Sequence, residues 1–325
     1  MTTLPPFILR GQEIETPLLS APMAGISHSA YRRLLADFGG YGALYTEMVP
    51  TGSIHCEDLY HSPMTKRRAE EGRVIYQIVI TGKAPVDQAV ARLTQLDPFA
   101  LDLNLGCPAP MIARKGGGRA LFDDIDRCRQ VLESIRFVWS GPLIVKCRLG
   151  HDRDGWEERF LERCELFSAC DVDALCVHPR FFHEKLKRTA RHHLFPWIRR
   201  HWKRTLIGNG DMCDAKALTL LGAEGCDALM IGRAAVTRPW IFRELHGETI
   251  TPDYLKIWEQ FYSYTLEDFP PERGIGRIKE FTGHFARNFF FGHELFRKAQ
   301  SAPDLPTLRE RVHAFLSASP QITRH

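Results

Sequence analysis

No run of about 18 apolar residues occurs anywhere in the chain, so no membrane-spanning helix is indicated. The opening stretch "MTTLPPFILRGQEIETP" lacks a basic start, an apolar core and a small-residue cleavage site, and a secretion signal is not expected. Cysteines at metal-ligand spacing are also missing. The nine present are scattered without a CxxC pair, which argues against a disulfide framework or a zinc knuckle and favours a reducing cytoplasm. No metal is expected. There is no low-complexity tract and no internal repeat beyond an alternation described below. Nor is there a large excess of one charge: 43 basic residues face 39 acidic ones.

What the chain does have is eight short apolar runs, each passing into polar or glycine-containing sequence. They are "LLSAPM" (Leu18), "ALYTEM" (Ala43), "VIYQIVI" (Ile75), "FALDLNL" (Leu101), "PLIVKCRL" (Val145), "ALCVHP" (Val177), "TLIGNGD" (Ile207) and "ALMIGR" (Met230). Helical spacing fills several gaps, at Val86 to Leu96, Asp124 to Val138, Glu157 to Ala169 and Asp214 to Leu221. Nearly continuous apolar strands alternating with helices imply a buried parallel sheet. Eight such units in about 230 residues have the size of a (β/α)8 TIM barrel. A doubly wound open sheet is the runner-up, but no GxGxxG follows the first run. After Gly247 to Pro252 the patterns are only helical. The expected organisation is a barrel over residues 1–247 and a small all-helical C-terminal domain over residues 248–325.

In a barrel the strand C-termini and the loops after them form the active face. Those positions hold Pro22 and Met23, Glu47, Gln77, Asn104, Lys146 and Arg148, His178, then Asn209, Gly210 and Asp211, and finally Gly232 and Arg233. Glycine turns after the last two strands, with the planar cation of Arg233, suit a phosphate. Lys146 beside an electron-accepting ring, with Gln77 and the Met23 turn at the ring edges, fits a flavin mononucleotide (FMN). Plainer roles are available too. Lys146 could pair with Glu47 or Asp102, His178 could be a hydrogen-bonded structural histidine, and Gln77 could cap a loop.

"LDLNLGCPAP" contains a thiol in an odd place. Cys147 and Cys176 lie within strand runs, and Cys128 and Cys164 lie on helices, where they read as small core residues. Cys107 follows its strand, on a turn over the mouth. A cysteine thiol with an ordinary pKa of about 8.5 is mostly protonated at neutral pH, which suits a general acid. A nucleophile would need a His base or a helix N-terminus to lower its pKa, and His178 is the candidate base.

Positive charge is concentrated twice. Residues 180–204 carry one acid, Glu184, among many cations and aromatics. Arg273, Arg277, Lys279, Arg287, Arg297 and Lys298 form a second group near the C-terminus. Both patterns suit a polyanion, and equally suit solvated helix faces.

Taken in order, "SAPMAGIS", "LYTEMV", "DLNLGCPAPMIARKGGG", "IVKCRLG", "CVHPR", "GNGD", "DALMIGRAA" and "GRIKEF" resemble the tRNA-dihydrouridine synthases over nearly the whole chain. The resemblance implies an FMN barrel with a helical RNA-binding domain, a soluble monomer that reduces a uridine of tRNA to dihydrouridine with NADPH or NADH. It implies Pro22, Met23, Gln77, Lys146 and His178 beside the flavin ring. Asn209, Gly210, Asp211, Gly232 and Arg233 would lie around its phosphate and ribityl chain, with Cys107 as proton donor. Asn104 and Arg148 would face the uracil or the RNA. From the charge pattern of the helical tail, rather than the resemblance, Arg277 and Lys279 are expected at the RNA backbone, unless they pair with Glu280, Glu294 or Glu310. Pro179-Arg180-Phe181 stands where Gly-Arg-Thr is common, and Arg119 where a small residue is usual. Two other functions would leave part of the pattern unexplained: an FMN barrel acting on a free pyrimidine or small enone, and a non-catalytic RNA scaffold.

Overall fold

The structure is a computed structural model and describes residues 4–82, 85–184, 186, 188–222 and 225–323. An antiparallel hairpin, β1 (Phe7–Leu9) and β2 (Gln12–Ile14), comes first. The parallel strands are β3 (Leu18–Ser20), β4 (Leu44–Tyr45), β5 (Val49–Pro50), β6 (Val74–Val79), β7 (Ala100–Asn104), β8 (Leu143–Arg148), β9 (Ala174–His178), β10 (Thr205–Asn209) and β11 (Ala228–Ile231). They run in the order β3-β11-β10-β9-β8-β7-β6-β4, and β5 continues β4 along β6 after a break. Leu19 bridges Ala43, and Ser20 N donates to Ala43 O at 3.1 Å, so β3 meets the second strand and the ring closes. This is the eight-stranded barrel, not the open sheet.

The alternation of side chains along each strand explains the interior. Going round the ring, the lower inward positions read Leu19, Ala43, Ile75, Ala100, Ile144, Ala174, Ile207 and Ala228. Counting the eight ring positions from β3 as the first to β11 as the last, with β4 and β5 as the second, a large residue on each odd strand faces alanine on each even one, so four branched side chains fill one level. The even strands fill the next with Tyr45, Asp102, Cys176 and Met230. Phe7, Leu9 and Ile14 of the hairpin join this apolar column and close its lower end.

The helices outside the barrel are α1 (Ser29–Phe38), α2 (Val86–Thr94), α3 (Pro110–Arg114), α4 (Arg119–Asp123), α5 (Ile125–Val138), α6 (Trp156–Ala169), α7 (Phe195–His201), α8 (Arg233–Thr237) and α9 (Ile241–Leu245). The segment expected as a helix near Asp214 is instead a 3-10 helix, Ala215–Leu220. Asp214 caps it by accepting from Lys216 N.

Four longer helices follow: α10 (Tyr254–Asp268), α11 (Pro271–Phe285), α12 (Gly292–Gln300) and α13 (Leu305–Ser317). The pattern through "GHFARNFFF" does not continue as one helix, because a 3-10 turn at Ala286–Asn288 ends α11. Phe261 and Phe281 stack at 3.9 Å between α10 and α11. This layer is tied to the barrel helices by polar contacts. Tyr264 Oη donates to Asp37 at 3.0 Å, and the buried Asp268 carboxylate pairs with Arg68 at 2.7 Å and with Lys66.

Arg32 on α1 is wholly buried against Glu71, with Nε 2.7 Å from Oε2. Its other nitrogens donate to Ser27 O and Lys66 O, so one guanidinium holds three chain segments. Arg32→Met leaves the Glu71 carboxylate buried without its partner. It is expected to destabilise the fold by about 3–5 kcal/mol, measured by urea unfolding.

Candidate active site

Above the apolar levels the barrel interior turns polar. Odd strands contribute Ala21, Gln77, Lys146 and Asn209, and even strands above them Glu47, Asn104, His178 and Gly232. Glu47, Gln77, Asn104, Lys146, His178, Asn209 and Gly232 are among the strand-end residues singled out in the sequence, and strand alternation turns these positions toward the barrel interior.

Gln77 and Asn104 form a closed chain of hydrogen bonds. Gln77 Nε2 donates to Asp102 Oδ2 at 2.8 Å, and Asn104 Nδ2 donates to Gln77 Oε1 at 2.8 Å. Asn104 Oδ1 then accepts from the backbone N–H groups of Gly106 and Cys107, at 3.1 and 3.0 Å. Asn104 therefore sets the turn that carries Cys107. Burial pushes the Asp102 carboxyl up to about 7, against the pull of Gln77 and Lys146.

The glycine run after α3 folds back on the same turn. Arg119 N donates to Cys107 O at 3.1 Å. Gly118 has φ +56, and a Cβ there would lie 2.5 Å from Cys107 O, so glycine is required. Cys107 itself is half-buried, and its thiol has no hydrogen-bond partner among the described residues. Arg148, whose Nη1 donates to Phe181 O at 3.2 Å, lies near Cys107.

A cavity opens at the neighbouring strand ends, where Lys146 pairs in register with Asn104. This cavity, of about 660 Å³, is lined by Pro22, Met23, Lys146, His178, Asn209, Gly210, Asp211, Gly232 and Arg233. Lys146 has no ion pair among the described residues, although Asp102 lies beneath it. Gly210 has φ +103, and a Cβ there would come within 2.6 Å of the His178 ring. Asp211, also at positive φ, accepts from Arg180 and Ala190 N through Oδ2 and from Arg233 at 3.2 Å through Oδ1. Burial would raise the Asp211 carboxyl, but the Arg180 and Ala190 hydrogen bonds and the two arginine charges hold it below its usual value.

Arg180 belongs to the basic stretch that suits a polyanion or a solvated face, but it is buried at the mouth and donates Nη1 to His178 Nε2. The available signal was its position two residues after His178. Because Nε2 accepts, His178 is neutral and engaged with Arg180. Burial first, then the charges of Lys146, Arg148, Arg180 and Arg233, hold it down to about 2.

The basic stretch at residues 180–204 does not form one face at the mouth. Arg199 pairs with Asp227 and Arg204 with Asp171, both at the opposite end where β10 begins. Arg191 pairs with Glu184 and lies over Phe181. Lys185 and Lys187 fall outside the described residues. In the helical layer, Arg277 reaches Glu47 at 3.4 Å, and Glu47 accepts from Gly25 N at 2.7 Å, which fixes the turn after Met23. Lys279 donates to Gln300 O and Ala302 O at the end of α12. Arg287, from the second basic group, is among the residues that line the cavity.

A closed βα barrel with polar side chains gathered at its C-terminal strand ends has the architecture of a barrel enzyme. The family model for dihydrouridine synthase (Dus) matches residues 19–284, and the chain belongs to this family. It is 32% identical over 250 residues to the tRNA-dihydrouridine synthase B of Proteus vulgaris, covering 74% of this chain and 75% of that one. The corresponding protein of Pectobacterium carotovorum is 32% identical over 252 residues, covering 74% and 76%. In fold, the chain is similar to an old yellow enzyme homologue from Zymomonas mobilis. The TM-score is 0.59 at 12% identity, over 81% of this chain and 99% of that one.

The His178 imidazole has a pH consequence. Its folded value lies below the unfolded one of about 6.5, so between about pH 2 and 6.5 the unfolded chain binds the extra proton and stability falls with pH. His178→Gln keeps an acceptor for Arg180 and removes the titration. Between pH 7.5 and 5 the variant is expected to lose about 1–2 kcal/mol less stability than the native protein, measured by urea unfolding at both values.

Proposed function

We propose that the protein uses FMN and NADPH to reduce the C5=C6 bond of a uridine in tRNA, with Cys107 giving the proton to C5. The observation that carries this reading is a thiol with no hydrogen-bond partner among the described residues, on a turn held by Asn104 and Arg119 N, one strand away from a cavity lined by Lys146 and Arg233. The cavity volume lies within the roughly 300–1,000 Å³ usual for cofactor sites. The Gly210 cradle, the Met23 turn and the Arg233 fork fit a flat ring with a phosphate tail.

When bound, reduced FMN would supply a hydride for uracil C6, with NADPH as the source of electrons. The side chains would do the rest. Lys146 places a positive charge where negative charge grows on the ring. Asn209, which donates to Met230 O at 2.9 Å, and Gly232 shape the floor. Neutral His178 packs the cavity wall without adding a fifth charge to its four cationic neighbours. Gln77 acts from below, by orienting Asn104. Arg148 stands beside the thiol, where it can hold the uracil or its phosphate.

A uridine must leave its stack to reach this depth, at a cost of a few kcal/mol. The RNA would lie over the mouth against the helical layer, whose Arg273, Arg297 and Lys298 are exposed. Arg277 and Lys279 would support that surface from behind, through Glu47 and the end of α12. Nine free thiols suit a reducing cytoplasm.

Cys107→Ala is expected to leave flavin content and NADPH oxidation unchanged while dihydrouridine formation on tRNA falls by about 10²-fold or more, read by mapping the modified base. Full dihydrouridine formation in this variant removes Cys107 from the chemistry. Arg233→Ala is expected to yield folded but largely colourless protein, checked by the flavin absorbance of the purified sample against its circular dichroism.

A further inference from the structure

The phosphate end of the cavity is not built by the barrel alone. Arg287 lines it together with Arg233 and Arg238, although Arg287 belongs to the 3-10 turn between α11 and α12. It lies three residues beyond the region matched by the family model. Its backbone is fixed from both sides. Ala286 and Asn288 are buried, and Asn288 Nδ2 donates to Thr237 O at 2.6 Å. Thr237 Oγ1 in turn lies 3.2 Å from Arg233 O and 3.3 Å from His284 O. The turn carrying Arg287 is thus tied to the helix that begins with Arg233. Burial, then the charges of Arg287 and Arg233, hold His284 down to about 4, so both guanidinium groups lie near one ring.

The charges do not balance there. Arg238 is neutralised by Glu244 at 2.6 Å. Asp211 is shared between Arg180 and Arg233. Arg287 is exposed and makes no hydrogen bond or ion pair with any described residue. A pinned backbone with a free guanidinium aimed into a cavity that already holds a half-neutralised arginine calls for an anion between the two. A phosphate monoester, with a charge of about −1.5 to −2 at neutral pH, matches both in charge and in bidentate geometry.

We infer that Arg287 is a second ligand for the phosphate of the bound flavin, so that the helical layer completes the cofactor pocket. This rests on the FMN reading given above. The test is titration of the flavin-free protein with FMN and with riboflavin, which lacks the phosphate, following flavin fluorescence. Arg287→Ala should weaken FMN binding about tenfold or more and leave riboflavin binding unchanged, with Arg287→Lys between the two. Equal FMN affinity in the native protein and the alanine variant overturns the assignment. So does a parallel loss for both flavins, or a loss confined to tRNA affinity. A native protein that binds neither flavin would instead overturn the FMN reading itself.

Discussion

The Asp211 carboxylate pairs with Arg180 and Arg233, two of the four cations that, with Lys146 and Arg148, surround His178. Four cations converge at one barrel mouth, and their mutual repulsion in a partly dry site is eased by Asp102, beneath Lys146, and by Asp211. That acid can take its place only because the chain at Gly210 and Asp211 enters positive φ twice in succession. The first of these residues must also pass within van der Waals distance of His178. Through Arg180 the carboxylate fixes the His178 ring, and through Arg233 it sets one arm of the phosphate end. Position and charge in the cavity therefore trace back to two residues of the turn after β10.

The barrel interior shows how such a site is carried by an ordinary core. Alternate strands stack large side chains on alanines at the bottom, and the same alternation continues upward into Gln77, Lys146 and His178. Asp102 marks the change. It is fully buried, one of its oxygens has no partner, and its carboxyl is raised to about 7. The polar levels begin there because the hairpin and the apolar levels have already closed the lower end to water.

Much of this was readable in the chain. The eight runs were visible because buried parallel strands are apolar on both faces, and their ends drew attention because stability alone does not require Lys146 or His178 there. Cys107 stood out by its place after a strand. What could not be read was pairing between distant segments. Arg180, Arg199 and Arg204 look alike in a basic stretch, and only the fold sends one to the mouth and two to the opposite end. Arg277 and Lys279 have helical spacing consistent with an open face, but Glu47 and the end of α12 lie in their way. The hairpin β1–β2 was missed because three-residue strands leave no periodicity to detect. Arg287 was seen as a cation near the C-terminus, with nothing local to connect it to Arg233.

The seam of the barrel has a consequence for how the chain is made. Leu18 lies beside Leu229, so the first strand finds one of its two neighbours only after the last has been synthesised. Until then a nascent chain carries two unpaired parallel edges, with the hairpin available to shelter the base but nothing to shelter the seam. Late pairing across such a sequence distance is slow, and exposed edges favour association with other chains. The helix that follows the closing strand is then held by Asn288, which emerges later still. Completion of the ring on the ribosome is in this way linked to arrival of the C-terminal helices.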